Sequence, residues 1–405
     1  MVRLFILFSL LICAPALAAG TRPPPFKLGL EVLLDDHLAS LRDKNVGLVT
    51  NMTGVNQALQ SNIDLLRAQP GVRLVALFGP EHGVRGETQA GVNVASTVDE
   101  ATGLPVHSLY GAAKGPTAEM LKGVDLLLFD IQDVGARYYT YPYTLLAVMH
   151  AAARAGIPII VLDRPNPLGG VLVEGPVLER PFVSFVGKFA MPVRHGMTMG
   201  EMAKMFAAVE RIDVQLTVIK MQGWKRDANP FRDGLAWIAP SPNMPTPETA
   251  MVYPGTALLE GTNISEGRGT TKPFEMIGAP FINASLLSAR LNAQALPGVI
   301  FRPAYFTPSF SKYAGEGCAG VQLHVTDAQA FRPFRTGVTL VKMLHDLYPA
   351  KFAFHEGTPG FFDTLAGTDA IRLGILEGQS VGTIEAHWQQ SLDRFSKTRD
   401  QFLLY

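Results

Sequence analysis

The sequence predicts a doubly wound α/β domain with a mostly parallel sheet, followed by a smaller α+β domain. Three observations lead there. Four apolar runs rich in Val, Ile and Leu lack clean alternation, the pattern of central strands covered on both faces. Helix-like segments separate and follow these runs, as crossover connections require. After about residue 250 the texture changes to polar, Gly-rich sequence with isolated strand and helix patterns.

Taken in order, the chain opens with MVRLFILFSLLICAPALAAG. A charge at Arg3, an apolar run through Cys13 and then Ala16-Leu17-Ala18 form the pattern of a secretory signal with an A-x-A cleavage site. The run is short for a bilayer span, so residues 1–18 are expected to be removed. That implies no membrane anchor after cleavage and a periplasmic or secreted location. Removal leaves Cys318 alone, without a disulfide partner, and stability must come from the core.

TRPPPFKLGLEVLL (21–34) is a Pro-rich lead. The four strand candidates are NVGLVTN (45–51), VRLVALFGPEHG (72–83), VDLLLFDIQD (124–133) and IPIIVLDRPNP (157–167). YTLLAVMHAAARAG (143–156) reads as a helix, with Gly156 suited to its C-cap. TMGEMAKMFAAVE (198–210) opens with Thr198 and Glu201 at capping-box spacing. VQLTVIKM (214–221) and LAWIAPSPNMP (235–245) read as strands that extend the sheet. The first domain thus covers 19–249 and the second 250–405. In the second, AGVQLHVTD (319–327) reads as a strand, and VTLVKMLHDLYP (338–349) and TIEAHWQQSLDRF (383–395) as helices. GEGCAG (315–320) matches a dinucleotide fingerprint but precedes a strand instead of following one, so it reads as a turn.

Composition narrows the function. Of the 405 residues 47% are hydrophobic and 17% charged, the balance of a packed globular protein. Lys+Arg and Asp+Glu are both 35, so no net charge draws the chain to nucleic acid or an anionic membrane.

Each of the four runs turns polar at its C-terminal end: Asn51; Glu81-His82; Asp130 with Gln132 and Asp133; Asp163-Arg164 with Asn166. Ligands of open α/β sheets bind beyond the carboxyl ends of the strands, so these residues mark a candidate site. The alternative is that they cap helices and hold loops. No G-x-S-x-G elbow follows a strand, and no H-E-x-x-H or Cys/His cluster suggests zinc. Carboxylates dominate instead: Glu81, Glu87, Asp130, Asp133, Asp163, Glu174 and Glu266. Glycoside hydrolysis uses a proton-donating acid and, in most enzymes, a second carboxylate. Tyr138, Tyr139, Tyr141, Asn166, Asn243 and Asn263 suit sugar faces and hydroxyls. On this chemistry a glycoside hydrolase and a sugar-binding protein without turnover both fit.

Longer motifs favour the hydrolase, with a periplasmic muropeptide-binding protein without turnover as the alternative. GPEHGVRGE, DIQDVGARYYTY, LDRPNPLGG with VEGPVL, PSPNMP and EGTNISEGRGT occur in that order, and DRFSKTRDQFLLY closes the chain. Together, over about residues 40–405, they resemble the bacterial exo-β-N-acetylmuramidases, the NamZ-type glycoside hydrolases. The resemblance implies a Rossmann-like catalytic domain, a smaller C-terminal domain completing the cleft, and no metal or organic cofactor. It implies removal of β-1,4-linked N-acetylmuramic acid from the non-reducing end of peptidoglycan fragments, in cell-wall turnover and recycling. Carried over by motif, Glu81 is the catalytic acid/base and Glu174 the second carboxylate, with Glu266 its rival. His82, Arg85, Asp130, Asp133, Arg137, Tyr138, Asp163, Arg164, Asn166, Asn243, Asn263, Glu266 and Arg268 are the expected substrate-binding residues. The lactyl carboxylate of such a substrate suits a planar guanidinium, for which Arg85, Arg137, Arg164 and Arg268 are the candidates.

Overall fold

The computed structural model describes residues 26–86, 96–111 and 115–405; the expected signal and Glu87 lie outside the described residues. The first strands are β1 (Asn45–Thr50), β2 (Arg73–Gly79), β3 (Thr97–Val98), β4 (Pro105–Ser108), β5 (Leu126–Asp130) and β6 (Ile159–Leu162). Then come β7 (Glu174–Val177), β8 (Pro192–Arg194) and β9 (Leu216–Ile219). The last three are β10 (Met276–Ala279), β11 (Val299–Phe306) and β12 (Cys318–Val325).

Seven strands form the main sheet in the order β3-β4-β2-β1-β5-β6-β9. Only the short β3–β4 pair is antiparallel. The chain winds outward from β1 through β2 to β4, returns beside β1 at β5, and continues outward to β9. This is the doubly wound order, with its reversal between β1 and β5. The unbroken apolar runs now have a reason. Val49, Phe129 and Val161 enter one core, while Leu48, Leu128 and Ile160 enter another on the opposite face. Side chains alternate across a strand, so a sheet covered twice needs apolar residues at every position.

The expected helices form where their end signals place them. Tyr141–Ala155 stops at Gly156, whose φ of 65° is the left-handed C-cap conformation. Met199–Val209 starts with a complete capping box between Thr198 and Glu201. One expected strand is absent: 235–245 is irregular. Pro240, Pro242 and Pro245 supply no N–H to a ladder, and the Trp237 indole instead donates to the Met244 carbonyl at 3.0 Å, closing a loop.

The smaller C-terminal domain carries an antiparallel sheet, β10-β12-β11. The GEGCAG stretch is a turn leading into β12, as its context suggested. Helix Pro333–Leu347 covers the domain's apolar side, and Phe301, Val321 and Leu340 belong to the same continuous core as Val49 and Phe129. Arg137 reinforces the junction. Its fully buried guanidinium donates to the carbonyls of Pro176 and Met191, in the β7–β8 ribbon, and of Leu365 and Ala366 in helix Phe361–Ala366.

Candidate active site

β2 runs out at Gly79 and the chain turns at once. The Gly83 N–H donates to the Pro80 carbonyl at 3.0 Å, and His82 and Gly83 adopt φ of 76° and 79°. Left-handed backbone at a non-glycine residue is uncommon and concentrates at functional turns. Here it delivers Glu81 and His82 to a cleft of about 680 Å³ beyond the carboxyl ends of β4, β2 and β5.

Two hydroxyls meet Glu81. Thr140, which precedes helix Tyr141–Ala155, donates to its Oε2 at 2.9 Å. Tyr110, just after β4, hydrogen-bonds it as well; burial and the Glu81 charge push this phenol up to about 12, so it stays a donor. Tyr138, Tyr139 and Tyr253 continue the wall with Phe274 behind them. Their rings meet edge to face, with centroids 5.4 Å apart for Tyr138–Tyr253 and 4.7 Å for Tyr253–Phe274, a favoured aromatic geometry.

The C-terminal half and the 235–245 loop complete the lining with Ser241, Asn243, Met244, Glu260, Arg268, Phe310 and Phe361. Arg268 lies over the Phe274 ring at 5.0 Å, contacts Glu260 at 3.0 Å and Glu266 at 3.4 Å. Lys312 joins Glu266 at 3.0 Å. Two cations thus balance the buried Glu266 and the half-buried Glu260. Burial pushes the Glu260 carboxyl up, Arg268 draws it down, and the neighbouring Glu266 charge pushes it up again. Two carboxylates, Glu81 and Glu260, in one aromatic-lined cleft match the pair that glycoside hydrolysis uses.

Of the residues the sequence singled out, Glu81, His82, Tyr138, Asn243 and Arg268 line this cleft, as do Tyr139 and Tyr141. The others have structural partners. Asp130 binds Arg164 at 2.5 Å and Asn62 at 2.8 Å. Asp163 accepts from Thr198, Gly200 and Tyr405, and Asp133 from the Gly135 N–H. Asn166 spans Met197 and Leu168, and Asn263 holds Lys351 and Ala353. Arg85 pairs with Asp99, and Arg137 is the buried junction described above. Glu266 lies behind Arg268. Glu174 opens β7 and pairs with Arg194 at 2.9 Å, away from the cleft lining; burial pushes its carboxyl up against the pull of Arg194.

Glu260 and Tyr110 were not singled out. Glu260 begins the EGTNISEGRGT motif, so the signal was present, six positions before the residue selected. Tyr110 stands outside any motif.

Comparison with known proteins places this geometry. The model of the N-terminal part of exo-β-N-acetylmuramidase NamZ matches residues 46–248, and that of its C-terminal part matches 251–405. The chain is 53% identical, over 95% of its length and 92% of the relative's, to the peptidoglycan β-N-acetylmuramidase NamZ of Bacillus subtilis strain 168. Two crystal structures of DUF1343 family proteins from Bacteroides fragilis NCTC 9343 share the fold. One is 39% identical with a TM-score of 0.87, the other 31% identical with 0.77; each match covers 94% of this chain and 99% of that one. On the paired matches and the majority identity to a relative, the chain belongs to the exo-β-N-acetylmuramidase NamZ family and is a glycoside hydrolase.

Proposed function

We propose that this enzyme removes a terminal β-linked N-acetylmuramic acid from the non-reducing end of peptidoglycan fragments, as part of cell-wall turnover. The observation that carries the reading is one cleft lined by Glu81, Glu260 and Arg268 together. Glu81 donates a proton to the bridging oxygen as the bond to the anomeric carbon breaks. Glu260 supplies negative charge to the oxocarbenium-like carbon, and water completes the hydrolysis. The tyrosines wall off bulk water around the sugar. Of the four candidate arginines Arg268 lines the cleft, and it reads the lactyl carboxylate that distinguishes muramic acid from N-acetylglucosamine.

The leader pattern of residues 1–18 supports action outside the cytoplasm, in the periplasm or beyond, where such fragments arise. The direct test is release of nitrophenol from 4-nitrophenyl β-N-acetylmuramide by wild type and by Glu81→Gln. An inactive wild type, on this compound and on the muramic acid–N-acetylglucosamine disaccharide, overturns the assignment.

A further inference from the structure

Most aromatic rings of the cleft are buried: Tyr138, Tyr139, Tyr141, Tyr253 and Phe274. Two are not. Phe185 is 59% exposed and Phe310 is 44% exposed, yet both line the cleft. Each is displayed by a braced loop. Ser184 and Gly187 exchange backbone hydrogen bonds of 2.8 and 3.2 Å, which leaves Phe185 and Val186 as the two apex residues. Val186 turns into the core and Phe185 stays in the open.

Phe310 comes from the other half of the chain. The Ser309 N–H and hydroxyl both donate to the Gly269 carbonyl, at 2.9 and 3.0 Å. Lys312 donates to the Leu259 carbonyl at 2.8 Å, and the Tyr313 hydroxyl to the Asn263 carbonyl at 2.7 Å. Gly269 has φ of 81°, and a Cβ there would fall 2.5 Å from the Phe310 carbonyl oxygen. The glycine next to Arg268 is therefore what lets the Phe310 loop seat against the cleft.

Rings displayed on braced loops at a cleft mouth are poorly explained by stability alone, because each leaves a large share of its surface to solvent. They are well explained by a ligand. An exo-acting hydrolase encloses the terminal sugar, and the rest of the saccharide must extend out past the rim. β-Linked pyranoses present axial C–H groups on their faces, which stack on aromatic rings.

We propose that Phe185 and Phe310 form the leaving-group subsite, holding the sugar that departs with the reducing-side fragment. This rests on the muramidase reading above. Because both rings sit on braced loops, little conformational freedom is lost when the sugar docks.

The test compares two substrates. One is the muramic acid–N-acetylglucosamine disaccharide; the other is methyl β-N-acetylmuramide, which has no departing sugar. Phe185→Ala and Phe310→Ala are each expected to lower kcat/KM for the disaccharide about 10-fold, the scale of one stacking contact. The same variants should hydrolyse the methyl glycoside within about twofold of wild type. Phe310→Trp should restore the disaccharide rate that Phe310→Ala loses. Equal losses on both substrates, or no loss on the disaccharide, would overturn the subsite. A wild type that cleaves neither substrate overturns the muramidase reading, and the subsite with it.

Discussion

Thr140 and Glu81 lie 59 residues apart, and one hydroxyl-to-carboxylate hydrogen bond of 2.9 Å joins them. It fixes the turn after β2 to the start of the helix after β5, so the acid's position is set by two strands of the sheet at once. Glu81→Gln keeps the shape and the bond to Thr140 but has no proton to donate as an acid. It is expected to lower kcat by 10² to 10⁴ on the disaccharide, whose sugar leaving group needs protonation, roughly the range for loss of general acid catalysis. Thr140→Val keeps the acid and loses its anchor, and should cost about 10-fold in kcat with the fold intact by circular dichroism.

Glu260 and Glu174 are expected to respond differently. Glu260→Gln should lower kcat at least about 100-fold, because the charge facing the anomeric carbon is gone. Glu174→Gln removes one partner of a buried pair and leaves Arg194 uncompensated, which costs about 3 kcal/mol of stability. Its melting temperature should fall while kcat below the transition stays near wild type. A Glu174→Gln enzyme that melts normally and fails to turn over would reverse the two assignments.

Arg268 is the residue proposed to read the lactyl carboxylate. A lysine keeps the positive charge and loses the planar fork. Arg268→Lys is expected to reduce the preference for 4-nitrophenyl β-N-acetylmuramide over the corresponding N-acetylglucosaminide by about 10-fold or more, read as the ratio of the two kcat/KM values. An unchanged ratio would show that another group reads the lactyl carboxylate.

Asp163 makes stability depend on pH. Burial pushes its carboxyl up to about 6, although Gly200, Thr198 and Tyr405 donate to it and pull the other way. The folded state therefore holds the proton more tightly than the unfolded chain, whose carboxyl titrates near 3.8. Stability is greatest below that value and falls as pH rises through about 6, by about 3 kcal/mol from this group, then levels off. Calorimetric melting temperatures between pH 4 and pH 7 should show this fall, and Asp163→Asn should flatten it. Tyr405→Phe removes a donor that favours the charged form, so it should move the fall to higher pH.

The fold was legible because covered parallel strands and capped helices leave local marks: unbroken apolar runs at β1, β2, β5 and β6, Gly156 at one helix end, Thr198 and Glu201 at another. The segment 235–245 misled because Leu235, Trp237 and Ile238 carry strand-like apolar character, while its prolines and the Trp237–Met244 hydrogen bond fold it into a loop. The site was half legible. An acid after a strand looks the same in sequence whether it meets substrate, as Glu81 is placed to, or pins a helix start, as Asp163 does. What separates them is the rest of the cleft lining. Glu260 and Phe310 arrive there through packing over long chain distances, which local pattern does not encode.

Arg137 has a consequence for how the two halves could be recombined. Its four carbonyl acceptors come from the β7–β8 ribbon and from residues 365–366. A chimera that grafted the C-terminal half of a distant cousin onto this N-terminal half would have to reproduce that carbonyl arrangement to the ångström, or strand a cation in oil. Exchange of one half for another's is therefore expected to succeed only where the incoming half supplies the same carbonyl cradle.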